Sequence, residues 1–159
     1  ADEVPLEDEL KKYPICVHCG MNRGMWHHSR HLVHYDDGLA VGTCSIRCLA
    51  VNLSLNLDRG VKAIWVADYA DSGKPKKMVN ADLATYLVGS SLKGTMTMNS
   101  KMAFASEKAA ADVKGASGGS LVSFNSALLS AYQDMAQDTI MIRKRRAEKQ
   151  KKRMKKTAQ

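Results

Sequence analysis

Four cysteines constrain this chain more than any other feature. They form two close pairs, Cys16-Val-His-Cys19 and Cys44-Ser-Ile-Arg-Cys48, and the sequence contains no others. A two-residue gap lets both sulfurs of the first pair turn to one side, and Gly20 gives the tight backbone that such a knuckle needs. Cys44 and Cys48 lie four apart and share one face if a helix begins there. A fold that joins the pairs supplies four thiolates, the closed tetrahedral arrangement that zinc takes. Two disulfides are the alternative use in an oxidising compartment. A dithiol oxidoreductase is a weaker third reading, because no clear helix follows Cys19.

The neighbours of the thiols bear on the choice of metal. Met21 stands two residues from Cys19, and a neutral thioether favours Cu(I) and has little use for zinc. Met25, Met96, Met98 and Met102 are further thioethers. Thr95-Met96-Thr97-Met98 alternates, which on a strand would turn both sulfurs to one side; packing is the commoner use of such a pattern. His18 lies within the first cysteine pair, and His27, His28, His31 and His34 lie between the pairs. If residues 27–34 are extended, His28 and His34 share one face and His27 and His31 the other. Imidazole binds copper or zinc, and one histidine at most is expected to ligate, with His28 the candidate. No Ser-His-Asp arrangement, phosphate loop or paired-carboxylate motif is present, so an enzyme is not expected.

The residue pattern predicts an α+β fold of two small ββαβ-type halves packed together, with a basic C-terminal extension. Residues 1–15 read as a polar lead-in. Leu32 to Tyr35, the turn Asp36-Asp37-Gly38, and Leu39 to Val41 predict a hairpin. Apolar residues at 46, 49, 50, 53 and 57 have a helical period, and Val61 to Ala67 is the clearest strand. In the second half, Met102 to Ala105 predicts a strand and Ser106 caps a helix to about Lys114. A turn at 115–119 leads to a strand at 120–124 and a helix from about Asn125. The expected divisions are 1–69 for the half with the Cys/His/Met site, 70–135 for the half with the Met-rich segment, and 136–159 for a basic tail, helical or disordered. Halves of this size have marginal cores and need each other.

Charge separates the tail from the body. Residues 143–156 hold ten Lys or Arg against one Glu, a net +9, whereas the whole chain is +8; the remainder is close to −1. Such a run contacts nucleic-acid phosphates or an anionic membrane surface. With no aromatic residue among its charges, specific nucleic-acid recognition is not expected, and the membrane surface or an acidic partner is the more natural use. The acidic opening ADEVPLEDE reads as the mature end of an exported, periplasmic protein.

The Cys-x-x-Cys-Gly-Met run at 16–21 resembles the opening of the NosL family of exported copper-binding accessory proteins associated with nitrous-oxide reductase assembly. The resemblance continues through Asp68, Val79-Asn80-Ala81, Thr85-Tyr86-Leu87, Met96-Thr97, Ala103-Phe104-Ala105-Ser106 and Gly118-Gly119, over roughly residues 14–130. It implies a two-part ββαβ fold and a metallochaperone that delivers Cu(I) to a cuproenzyme or another copper acceptor. It also implies that Cys19 and Met21 hold the ion, completed by Met96 or Met98, with Cys16 or a histidine in support. Cys44 and Cys48 are additional to that site. With Cys19 they are similar to the three-cysteine pattern of small TRASH-type metal domains. The basic tail has no counterpart in the family pattern. A zinc-binding four-cysteine interaction module and a periplasmic thiol-disulfide protein are the alternatives.

Overall fold

Alternating apolar residues after Arg30 form β1 (His31–Tyr35), which turns at Asp36-Asp37-Gly38 into β2 (Ala40–Thr43). Gly38 takes the left-handed conformation (φ 85°) that this tight connection requires. The chain then enters α2 (Ile46–Leu55) and returns as β3 (Val61–Ala67). A computed structural model describes all residues 1–159 and shows two antiparallel sheets. The first has the order β2-β1-β3-β4, where β4 is Met78–Asn80. This last strand follows the connection at 70–77 yet pairs with β3 in the first sheet. Leu57 is 84% exposed because α2 stops at Leu55, two residues earlier than its apolar period predicts.

The second sheet is assembled from β5 (Thr85–Val88), β6 (Lys101–Phe104) and β7 (Ser120–Val122), in the order β6-β5-β7. Between β6 and β7 lies α3 (Glu107–Ser117), capped by Ser106, whose hydroxyl accepts from the Ala109 N–H. This helix runs through Gly115, which was expected to open the turn; the break falls at Gly118 and Gly119, both with positive φ. Leu87, Met102 and Phe104 face α3 and bury Ala110 between them. Met102 is therefore a core residue.

One apolar core joins the halves. Val33, Tyr35, Leu49, Ile64 and Val66 of the first half meet Tyr86 and Ala103 of the second. Phe124, Ala127 and Ala131 close it from α4 (Phe124–Thr157), which packs along α2. Tyr132 donates to the Ala50 carbonyl at 2.7 Å across that contact. Burying side chains of this kind contributes about 1.5–3 kcal/mol each, which neither half could gather alone.

The N-terminal residues are structural, not a polar lead-in. They form α1 (Glu9–Lys12), and Glu9 is buried between two buried guanidinium groups. Arg30 Nε donates to Glu9 Oε1 at 2.5 Å, and Arg23 Nη1 lies 2.8 Å from Glu9 Oε2. The extended histidine stretch is shorter than expected. Only His31 and His34 are on a strand, on opposite faces, and both are buried. His34 stacks on Trp65, and His31 Nε2 bonds the Tyr86 hydroxyl at 2.9 Å.

Burial lowers the His31 pKa to about 3. In the unfolded chain a histidine titrates near ~6.5. Between these values the unfolded state takes up a proton that the folded state refuses, so stability present at neutral pH is lost as pH falls. The span corresponds to roughly 4–5 kcal/mol at its acid end. Urea unfolding is expected to show a much lower midpoint near pH ~4.5 than near pH ~7.5. His31→Gln, which keeps a polar group facing Tyr86, should flatten that difference.

Candidate metal centre

Residues 15–22 fold back on themselves as a short antiparallel knuckle. Ile15 bridges Asn22, Cys16 N–H donates to the Met21 carbonyl at 2.9 Å, and Gly20 N–H donates to the Cys16 carbonyl at 2.9 Å. Gly20 sits at φ 77° with open space where a Cβ would stand, so its requirement is conformational, not steric. The second pair comes from the β2–α2 junction. Cys44 precedes the N-cap Ser45, and Cys48 occupies the first turn of α2. The pair therefore converges across a helix start, where a shared face along a helix was expected.

All four cysteines are free thiols, and their sulfurs lie within 4.8 Å of one another. Cys19 Sγ is 3.4 Å from Cys44 Sγ, and Cys44 Sγ is 3.8 Å from Cys48 Sγ. Cys16, Cys44 and Cys48 are buried, and Cys19 is half-exposed. Met21 and Trp26, both half-buried, pack against the cluster from outside. Hydrogen bonds from Cys44 and Cys48 hold Cys16 as a thiolate, far below the usual thiol range. The same arrangement pushes Cys48 up to about 12 and Cys44 higher still. A soft cation entering the cluster binds as thiolates are formed, so metal binding there displaces protons.

A buried arginine fixes the two pairs relative to each other. Arg23 follows the knuckle, and its guanidinium donates to the carbonyls of Tyr13 (2.6 Å), His31 (2.9 Å) and Thr43 (3.1 Å). Tyr13 leads into the first pair and Thr43 into the second. Gly42 makes room for this group: a Cβ there would stand 2.6 Å from Arg23 Cζ. Sequence reasoning centred on thiols, thioethers and imidazoles missed Arg23, and only its place directly after Met21-Asn22 hinted at it.

The other expected ligands are placed as follows. His28 is not among the clustered donors; its ring packs between Trp26 and Tyr69, so it stands one side chain away. His18 Nε2 bonds Asn52 Nδ2 at 2.9 Å, and His27 Nδ1 accepts from the Lys76 N–H at 3.2 Å. The segment 95–98 is not a strand but part of a loop, and its two methionines do not share a strand face. Met98 is fully exposed, and Met96 is partly exposed with φ 60°, a left-handed conformation costly for a side chain of its kind. Buried Thr95 anchors this loop at the cluster. Ser29 donates to the Cys44 carbonyl at 2.8 Å and shares a 2.7 Å hydrogen bond with the Thr95 hydroxyl.

Clustered free thiols on an α+β frame are the geometry of a thiol-based metal-binding protein. The chain belongs to the NosL family, whose model matches residues 7–128. It is similar to the crystal structure of the copper chaperone NosL from Shewanella denitrificans, with 27% identity and a TM-score of 0.56, covering 70% of this chain and 87% of that one. A solution structure of the apo-NosL protein from Achromobacter cycloclastes is 20% identical with a TM-score of 0.42, covering 60% of this chain and 82% of that one. None of the curated proteins matches the chain.

Two outcomes follow from this geometry. In the reduced protein near neutral pH, Cys19 should be alkylated first, and Cys16, Cys44 and Cys48 only after unfolding, as mass mapping of the labelled peptides would reveal. Gly42→Ala should destabilise the fold by about 2–4 kcal/mol in urea titrations, because the fully bonded Arg23 has nowhere to move.

Proposed function

We propose that this protein is a non-enzymatic Cu(I) carrier of the exported, periplasmic compartment that delivers the ion to a cuproenzyme such as nitrous-oxide reductase. The observation that carries this reading is the cluster itself: four free thiols within 4.8 Å, with a thioether against them and one of the four cysteines half-exposed. Thiolate and thioether sulfur together select Cu(I) among available ions. Membership of a family that includes a copper chaperone supports the same cargo.

In this reading Cys19 and Met21 are the transfer ligands, because they stand at the exposed edge of the cluster. Met96 directly follows the Thr95 anchor and is the second-half thioether assigned to the site, and Met98 is left in solvent. Transfer is ligand exchange. An acceptor thiolate bonds to Cu(I) as the Met21 and Met96 thioethers leave; further acceptor ligands then replace Cys19 and the supporting Cys16, and the Cys19 sulfur takes a proton from water. Copper stays Cu(I) throughout, so no oxidant or reductant is needed.

Competition with a Cu(I)-specific chelator under reducing conditions tests the assignment. Cys19→Ser should lower affinity by about a hundredfold or more and Met21→Ala by about tenfold, with Met96→Ala weaker than wild type and Met98→Ala unchanged. The second reading is a closed zinc tetrathiolate, favoured by the burial of three of the four sulfurs. One tightly held zinc, insensitive to Met21→Ala and lost in Cys44→Ser, would establish that reading instead.

A further inference from the structure

The C-terminal half of α4 belongs to neither the core nor the metal centre, and it lies beyond the residues matched by the family model. The helix continues without a break to Thr157, and every residue from Thr139 onward is exposed. Residues 143–157 would extend about 22 Å at 1.5 Å per residue. They form no internal salt bridge, since the last ion pair on α4 is Arg47 Nη1 to Asp138 Oδ2 at 2.5 Å.

The charges on this helix are distributed unevenly. At three- and four-residue spacings, Ala136, Ile140, Ala147, Gln150 and Met154 fall on one side, with Arg143 the single cation among them. Ile140 and Met154 are 65% and 64% exposed. Lys144 and Lys151 border the stripe on one flank, and Arg146 and Arg153 on the other; Arg145, Lys149, Lys152 and Lys156 occupy the far side. A narrow apolar seam edged by long cationic side chains can lie in a headgroup layer, seam down, with the flanking stems reaching up to the phosphates. A second copy of the helix is excluded by ten like charges. A specific protein partner is disfavoured, because the segment offers Lys-rich charge and none of the aromatic anchors that carry such interfaces.

We infer that residues 139–157 form a docking helix for an anionic lipid surface, bound chiefly by charge and seated by the Ile140–Ala147–Met154 seam. The contact fixes where the metal centre sits. Arg47 lies between Cys44 and Cys48, so its ion pair with Asp138 launches the docking helix from the same end of the molecule as the thiol cluster. Docking by this helix would hold the exposed Cys19 close to the membrane plane. This inference does not depend on which metal the cluster carries.

The full-length protein should co-sediment with vesicles containing about one-third anionic lipid and not with neutral phosphatidylcholine vesicles, and binding should fall steeply with salt. Reversing four flanking cations (Lys144→Glu, Arg146→Glu, Lys151→Glu, Arg153→Glu) should weaken it by about a hundredfold or more. Met154→Asp should weaken vesicle binding by about tenfold, with the far-ultraviolet dichroism and thiol reactivity of the body unchanged. Absence of binding to anionic vesicles overturns the inference. So does tighter binding to a nucleic-acid duplex that is insensitive to Met154→Asp, since a phosphate groove has no use for the seam.

Discussion

The buried guanidinium of Arg23 is the contact on which the arrangement of the rest depends. The two cysteine pairs are far apart in the chain and come from unlike elements, a knuckle and a strand–helix junction. Arg23 bonds the backbone of the segments that lead into both, and of β1 between them. A buried cation of this kind is tolerable only with a counter-charge, and removing one member of such a pair typically costs about 3–5 kcal/mol. Glu9 provides that charge, and so the N-terminal segment is drawn onto the body. Arg30 shares the same carboxylate and bonds the carbonyls of His27 and Lys76 at 2.6 and 2.8 Å. The loop carrying Trp26 is thereby fixed to the same polar nucleus.

The cluster built on this frame is asymmetric. Cys16, Cys44 and Cys48 are buried, and Cys19 is half-buried with the Met21 thioether against the cluster. A fully closed tetrathiolate retains its ion, whereas an exchange site needs one edge that an incoming ligand can approach. On the proposed reading, Cys19 and Met21, the half-buried sulfur side chains of the cluster, provide that edge. The knuckle places them there because the left-handed turn at Gly20 reverses the chain between them.

Much of the fold was legible in the sequence where local periodicity met burial. The hairpin, α2, β3, β6 and the Ser106 cap follow directly from alternation, helical spacing and a hydroxyl at the right place. Joining of the two cysteine pairs was legible as an expectation, because no other thiols exist to partner them. What was not legible depended on distant contacts. Acidic spacing made residues 1–15 look solvated, and only the buried Arg23 and Arg30 explain Glu9. The Thr-Met-Thr-Met alternation mimicked a strand, but residues 90–100 have no neighbouring strand edge, and Thr95 is held instead by the side chain of Ser29. Likewise β4 sits beyond a connection that reads as a boundary, and its pairing with β3 is a property of the sheet edge, not of its own three residues.

The polar nucleus also bears on which ion suits the site. Glu9, Arg23 and Arg30 are all buried and together leave one positive charge, and the charge on Arg23 is felt at Cys16. In a medium of low dielectric, such a charge is best balanced by a neighbouring site of net −1. On the proposed reading, Cu(I) held by two thiolates and a thioether would carry −1, whereas zinc on four thiolates would carry −2. The thiols point the same way: hydrogen bonds from Cys44 and Cys48 lower the Cys16 pKa, and their own are raised in return. On that reading the frame favours using two of the four thiols at a time, with Cys44 and Cys48 as the hydrogen-bond donors that support the Cys16 sulfur.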